Sequence, residues 1–127
     1  MSRRPSLKAA IVGLGQIGAT YVSEAGGVQR SHLGAVMSTT GIEPVMLVDR
    51  NRNQIEVVSA LYPSLRDEMF FENISSSSSE SIDVVVISTP AEMRLEIVRS
   101  ALPLNPRMIV IEKPLALTLS EGRKIDD

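Results

Sequence analysis

Three glycines within six residues are the first feature whose residue types and spacing suggest a chemical role. The segment Gly13–Gly18 has the sequence Gly-Leu-Gly-Gln-Ile-Gly and directly follows an aliphatic run over Leu7–Val12. In such a segment Gly13 permits a tight turn, Gly15 lacks a Cβ so that a phosphate can approach the backbone, and Gly18 lets the following helix pack closely on the strand. The pattern is typical of a turn that binds the pyrophosphate of a dinucleotide.

The start of the helix after this turn adds a second attraction for phosphate. Backbone N–H groups at a helix start lack helical partners and carry a partial positive charge, which favours an anion. Gln16 and Ile17 lie at this position, so we predict that they bind the cofactor together with Gly13 and Gly15. The glycine pattern by itself is also compatible with a turn that binds no ligand.

An acidic residue closes the second aliphatic run, Val45–Val48. At that place the Asp49 carboxylate can accept hydrogen bonds from both ribose hydroxyls of adenosine and repel a 2′-phosphate. Asp49 lies 31 positions after Gly18, whereas the usual spacing is about 20 residues. The excess matches extra residues over Val28–Gly41, so we keep the assignment. As an alternative, Asp49 only caps the next helix.

Two arginines near Asp49 bear on the choice between NAD and NADP. Arg50 and Arg52 can each stack on adenine or hold a 2′-phosphate, whereas Asp49 favours a cofactor without that phosphate. The sequence favours NAD, leaves NADP open, and predicts that Arg50 contacts the cofactor.

Polar residues also end two later aliphatic runs. Ser88-Thr89-Pro90 follows Val84–Ile87, and Glu112-Lys113-Pro114 follows Ile109–Ile111. Ligands of parallel α/β sheets bind beyond the carboxyl ends of the strands, so both sets are predicted to face the cofactor and the substrate. Lys113 can hydrogen-bond a substrate oxygen and favour its change of charge during hydride transfer. As an alternative, its ammonium group only extends to the surface.

These residues need strands and helices to position them. Short β-branched runs without polar alternation predict buried strands; they are Leu7–Val12, Val45–Val48, Asp83–Ser88 and Met108–Ile111, with a weaker one at Met69–Phe71. Helical spacing joins Ile17, Tyr21 and Ala25, then Ile55, Val58 and Leu61, then Met93, Ile97 and Ala101, and a short helix is predicted over Ser31–Met37. The alternation predicts an α/β fold with a doubly wound, mostly parallel sheet of the Rossmann type.

Composition narrows the class of protein. A chain of 127 residues with a net charge of −2 fits one domain and gives no reason to expect nucleic acid or a membrane as a partner. The absence of cysteine and the single histidine, His32, argue against a metal site. No run reaches the ~18 apolar residues of a membrane span. We expect a cytoplasmic protein; Ser2–Lys8 resembles a twin-arginine export signal, but more simply precedes the first strand.

Four segments together resemble the N-terminal domain of the Gfo/Idh/MocA oxidoreductases, the group of glucose–fructose oxidoreductase and inositol dehydrogenase. They are Ala10–Gly18, Leu47–Arg50, Ile82–Pro90 and Glu112–Thr118, and the last is the most specific. The resemblance implies an NAD(P)-binding Rossmann domain over residues 1–127. It also implies that Lys113 is a catalytic residue near the nicotinamide, with Glu112 in the same motif, and that Thr89 and Pro90 lie beside the cofactor.

The sequence departs from the family in three respects, the first being the extra residues over Val28–Gly41 already noted. Arg94 takes the place of a histidine that usually follows the Thr-Pro pair, and the C-terminal domain, which shapes the substrate pocket and commonly the oligomer interface, is missing. A helical pattern that starts at Ser120 and stops at Asp127 also suggests an incomplete polypeptide.

The resemblance implies an oxidoreductase acting on a sugar, cyclitol or similar polyol, and allows a homo-oligomer. Because hydride transfer needs a substrate held about 3–3.5 Å from the nicotinamide, we expect this chain alone to lack a full active site. Two alternatives stay open. The first is a stand-alone dinucleotide-binding or regulatory module without catalysis, and the second is a Rossmann domain for another nucleotide such as S-adenosylmethionine.

Overall fold

The computed structural model describes residues 6–15, 31–74 and 81–111. Its strands are β1 (Leu7–Val12), β2 (Ile42–Val48), β3 (Phe70–Phe71), β4 (Val84–Ile87) and β5 (Met108–Ile111). They form one parallel sheet in the order β3-β2-β1-β4-β5. The chain therefore leaves the central strand first to one side and then to the other, which is the doubly wound arrangement. The predicted fold class is confirmed.

Three α-helices lie among the described residues, and the first two start at a residue whose side chain caps the helix. They are α1 (His32–Met37), α2 (Arg52–Leu61) and α3 (Arg94–Ala101), with 3₁₀ turns at Asp67–Met69, Ala91–Met93 and Leu102–Leu104. The Ser31 hydroxyl accepts the Gly34 N–H at 3.0 Å at the start of α1, and the Asn51 side chain accepts the Asn53 N–H at 3.0 Å at the start of α2. Such caps satisfy N–H groups that lack helical partners. The predicted short helix after Ser31 is confirmed.

Alternate residues of β1 enter two separate apolar cores. Ala9 and Ile11 pack with residues of α1 and α2 on one face of the sheet, while Ala10 and Val12 pack with residues of α3 on the other. None of these four residues is more than 3% exposed. Coverage of both faces explains why β1 lacks polar alternation.

Two strands differ from their predicted bounds. β2 starts at Ile42 rather than at Val45, and it accommodates Pro44 because β3 pairs only with the far end of β2 and the register with β1 shifts just after Pro44. β4 is shorter than predicted, since Asp83 lies before it and its carboxylate accepts the Lys8 N–H at 2.8 Å.

One prediction of burial is wrong, and the apolar stripe of α2 is only partly buried. β5 lies at one edge of the described sheet and alternates in exposure, with Met108 58% and Val110 37% exposed, so it is not a fully buried strand. In α2 the predicted stripe of three residues contains one buried member, Val58, whereas Leu61 is 51% exposed. Leu61 occupies the last turn, where α2 ends before Pro63.

Several predictions fall on residues outside those that the structure describes. They concern residues 2–5 of the possible export signal, the helix after the glycine turn, and the helix after Ser120. Within the described residues, no helix has the length and apolar character needed to cross a membrane. The same residues contain no cluster of three or more acidic or histidine side chains placed to hold a metal ion.

Candidate functional site

The ends of β1, β2 and β4 are joined by backbone hydrogen bonds that continue just past the strands. The Gly13 N–H donates to the Val48 carbonyl at 2.8 Å, and the Ser88 N–H donates to the Val12 carbonyl at 2.8 Å. The residues after these three strands therefore lie side by side although they are distant in sequence. A cavity of about 570 Å³ lies at this edge of the sheet, within the size range of small-molecule sites.

All the predicted site residues that the structure describes line this cavity. They are Gly13, Gly15, Asp49, Arg50, Ser88, Thr89 and Pro90. The other four, Gln16, Ile17, Glu112 and Lys113, lie outside the described residues. The carboxyl ends of the central strands thus bring together the glycine turn, the acid after β2 and the polar set after β4, as the rule for parallel sheets predicts.

The sequence analysis missed two groups of lining residues. One group directly follows β3, and the other lies on and just before one side of α3; the residues are Glu72, Asn73 and Ile74, and Met93, Glu96, Ile97 and Ser100. The first group could have been found by applying the strand-end rule to the weak strand as well. The second group recurs at intervals of three and four residues, which places it on one helix face.

Gly13 and Gly15 serve different needs within the turn. Gly13 has φ +95°, and a Cβ there would lie 2.9 Å from both the Ser88 carbonyl carbon and the Thr89 nitrogen. Gly13 is therefore required by its own conformation and by the close approach of the β4 exit. A Cβ added at Gly15 would meet no atom of the described residues within 4 Å. At Gly15 the side-chain direction faces free space at the cavity wall, which fits a ligand that approaches the backbone.

Asp49 fastens the glycine turn to the end of β2. Its Oδ2 accepts the Leu14 N–H at 2.9 Å, and its Oδ1 accepts the Asn51 N–H at 2.8 Å. The Gln54 side-chain amide donates to the Leu14 carbonyl at 2.6 Å, so both backbone polar groups of Leu14 are held by side chains. The alternative that Asp49 only caps α2 is wrong, because the cap is Asn51. Each carboxylate oxygen of Asp49 keeps acceptor capacity for a further hydrogen bond.

Two hydroxyl groups at the β4 exit are buried without a partner among the described residues. They are Ser88 Oγ and Thr89 Oγ1, and both residues line the cavity. A buried hydroxyl without a hydrogen bond costs about 1–3 kcal/mol, so such groups usually have a partner. Their position favours a polar ligand in this cavity.

The sequence matches a family model over residues 7–127, and the model is described as an oxidoreductase family with an NAD-binding Rossmann fold, Gfo/Idh/MocA. The chain belongs to the Gfo/Idh/MocA oxidoreductase family. The resemblance seen in the sequence is therefore confirmed, and the chain is an NAD-binding Rossmann domain of that family. No curated protein sequence matches it.

Solved structures share the fold of this Gfo/Idh/MocA domain at low sequence identity. The WlbA dehydrogenase from Bordetella pertussis, in complex with NADH and UDP-GlcNAcA, has a TM-score of 0.74 at 20% identity, covering 96% of this chain and 31% of that one. An oxidoreductase from Agrobacterium radiobacter, in complex with NAD+, L-tartaric acid and magnesium, has 0.71 at 20%, covering 95% and 31%. A myo-inositol 2-dehydrogenase from Lactobacillus plantarum has 0.63 at 23%, covering 95% and 32%. The chain spans about a third of these structures.

The Gfo/Idh/MocA domain carries a buried arginine where a histidine was expected. Arg94, at the start of α3, is only 4% exposed, and its Nε and Nη2 donate to the Thr89 carbonyl at 3.2 and 3.1 Å. The guanidinium fork thereby holds the backbone of a residue that lines the cavity. The sequence indicated the substitution but not its role, because arginine is seldom buried.

Replacing Arg94 by methionine should lower the free energy of unfolding by about 2–3 kcal/mol, because charge-assisted hydrogen bonds to a buried carbonyl are lost. Urea unfolding followed by circular dichroism measures the change. Arg94→Lys serves as the control, since it keeps the positive charge and loses the two-pronged guanidinium contact. We expect its free energy of unfolding to lie between those of the wild type and Arg94→Met. Equal stability of all three proteins would contradict the role given to the fork.

The cavity wall of the Gfo/Idh/MocA domain is rich in carboxylates at the end nearest Asp49. Arg50 Nη2 lies 3.5 Å from Glu96 Oε1 on α3, and Arg52 Nη1 lies 3.0 Å from Glu72 Oε1 after β3. Asp49, Glu72 and Glu96 all line the cavity. Both arginines next to Asp49 are therefore already paired with a carboxylate of another element.

Proposed function

We propose that the cavity at the ends of β1, β2 and β4 binds a nicotinamide dinucleotide, and that the chain is the cofactor-binding domain of an oxidoreductase acting on a sugar, cyclitol or similar polyol. The observation that carries the proposal is the convergence of three features on one cavity. These are the space beside Gly15 that no described residue fills, the carboxylate of Asp49, and the hydroxyls of Ser88 and Thr89, which have no partner among the described residues. Each matches a different part of a dinucleotide.

The glycine turn and the residues around Asp49 hold the phosphate and adenosine parts. The backbone around Gly13 and Gly15, continued by Gln16 and Ile17, binds the pyrophosphate, because the sequence predicts a helix start directly after the turn. Asp49 accepts hydrogen bonds from the adenosine ribose with the acceptor capacity left after its two backbone bonds.

The β4 exit and the Glu-Lys-Pro motif hold the reactive end. Ser88, Thr89 and Pro90 contact the nicotinamide half, and the two unpartnered hydroxyls donate to it. When bound, the nicotinamide ring supplies hydride transfer. Lys113, together with Glu112, lies at the substrate, where its ammonium group hydrogen-bonds the oxygen whose charge changes.

The substrate class is supported by structures that share the fold. One was solved with a nucleotide sugar and NADH, and another is named as an inositol dehydrogenase. A substrate must be held about 3–3.5 Å from the nicotinamide, and one Rossmann domain provides one wall of such a pocket. We therefore propose that turnover needs a second domain to complete the substrate pocket, and that the whole protein forms a homo-oligomer.

Titration of the purified chain with NADH tests the proposal directly. The protein contains no tryptophan, so the fluorescence of NADH can be followed without that background. Gly15→Val should weaken NADH binding about tenfold, because the new side chain enters the space of the pyrophosphate. The free energy of unfolding of Gly15→Val in urea should change by less than about 1 kcal/mol, since no described residue lies within 4 Å of a Cβ at this position.

Gly15→Ala should fall between the wild type and Gly15→Val in NADH affinity. Failure of the wild type to bind NADH at millimolar concentration would refute the proposed function. Unchanged affinity in Gly15→Val would place the pyrophosphate elsewhere.

A further inference from the structure

We propose that Glu72 and Glu96 make this site selective for NAD over NADP, because they occupy the two arginines that would otherwise hold a 2′-phosphate. This inference rests on the proposed dinucleotide site and deepens it. The sequence motif leaves the choice open, since Asp49 opposes the phosphate whereas Arg50 and Arg52 attract it. The structure shows what these arginines already contact.

Arg50 is the residue best placed to meet a 2′-phosphate. It directly follows Asp49 and lines the cavity. Its Nη2 lies 3.5 Å from Glu96 Oε1. Arg50 extends from the end of β2 and Glu96 from α3 after β4, so the pair joins two walls of the cavity. A phosphate must displace Glu96 from Arg50 before it can use the guanidinium charge.

Arg52 is held in the same way by the next strand end. Its Nη1 lies 3.0 Å from Glu72 Oε1, and Glu72 comes directly after β3. Glu72 lines the cavity as Glu96 does. A 2′-phosphate therefore competes with a carboxylate of the protein at each of the two arginines.

The charges of the described cavity wall also favour NAD over NADP. Asp49, Glu72 and Glu96 contribute three carboxylates, and Arg50 contributes a cation that is already paired. A dianionic phosphate would be repelled by the carboxylates without an available cation to offset them. The 2′-hydroxyl of NAD carries no charge and can donate a hydrogen bond to a carboxylate instead.

The expected size of the effect follows from exposure. In the first pair the side chain of Arg50 is 65% exposed and that of Glu96 is 69% exposed. In the second pair the side chain of Arg52 is 78% exposed and that of Glu72 is 52% exposed. Water and salt weaken such interactions. Each glutamate should therefore change the relative affinity by a few-fold, and the change should diminish at high ionic strength.

The test compares the dissociation constants of NADPH and NADH for the purified chain and for Glu96→Gln, Glu72→Gln and the double variant. The readout is the dissociation constant of NADPH divided by that of NADH, a ratio in which effects common to both nucleotides cancel. We expect the wild type to bind NADH more tightly. The ratio should fall about threefold in each single variant and about tenfold in the double variant at low ionic strength, with a smaller fall at ~0.5 M salt.

Glu92→Gln and Glu56→Gln are matched controls, because they remove the same charge from exposed residues that do not line this cavity. A ratio that stays constant in the glutamate variants, or falls equally in the controls, would overturn the inference and leave the proposed function standing. Tighter binding of NADPH by the wild type would also overturn it. Binding of neither nucleotide by the wild type would refute the proposed function and this inference with it.

Discussion

Replacing Gly13 by alanine is expected to lower the free energy of unfolding by about 2–5 kcal/mol. Two costs add. An L-residue at φ +95° is strained by about 1–2 kcal/mol, and a Cβ 2.9 Å from backbone atoms of Ser88 and Thr89 forces the two strand exits apart, at about 1–3 kcal/mol. The atoms in the way belong to the backbone, so no side-chain rotation relieves the overlap. Urea unfolding followed by circular dichroism measures the loss.

Gly41→Ala is the matched control for this prediction. Gly41 has nearly the same backbone angle, φ +94°, but a Cβ there meets nothing within 4 Å. Gly41→Ala should lower the free energy of unfolding only by the cost of the strained backbone, about 1–2 kcal/mol. The difference between the two variants therefore measures the close approach of the glycine turn to the β4 exit. Equal losses at Gly13 and Gly41 would show that this approach contributes nothing to stability.

Asp49→Ala is expected to affect both the fold and the ligand. The carboxylate accepts the Leu14 and Asn51 N–H groups, and losing charge-assisted bonds of this kind at a half-buried site should cost about 2 kcal/mol of unfolding free energy. If Asp49 also accepts the ribose hydroxyls, NADH binding should weaken about 10- to 100-fold. Urea unfolding and NADH titration measure the two effects separately.

Asp49→Asn separates charge from shape. Its amide keeps one oxygen, so one of the two backbone bonds can persist while the negative charge is lost. We expect about half the loss of stability and a rise in NADPH affinity relative to NADH, because the repulsion of a 2′-phosphate is removed. Asp49 would be a purely structural residue if NADH affinity were the same in wild type, Asp49→Ala and Asp49→Asn.

The fold was predictable because its signals are local. Short β-branched runs indicated the positions of the strands, Ser31 at the predicted start of a short helix marked the beginning of α1, and the glycine turn after β1 indicated a Rossmann topology. Strand ends were less predictable. Asp83 was expected inside a strand, but its carboxylate is used to accept the Lys8 N–H, a contact between residues far apart in the chain.

The candidate site was predictable wherever a residue directly follows a strand. The carboxyl ends of parallel strands meet at one edge, so Gly13, Asp49 and Thr89 could be assigned to one place from three separate segments. The sequence analysis did not predict the residues that line the cavity from a helix face, such as Glu96. Which face of α3 turns toward the cavity depends on how the helix packs on the sheet, and apolar spacing alone indicates only the buried side.

The amino-acid sequence by itself determined the class of fold, the family and the residues at the strand ends, since each depends on patterns a few residues long. Only the tertiary structure decided that Arg94 is buried with its guanidinium on the Thr89 carbonyl, that Asp49 fastens the glycine turn, and that the nearby arginines are paired with glutamates. Each of these contacts joins segments brought together by strand order and helix packing, and charge or hydrogen-bond complementarity acts only across the distances that packing sets.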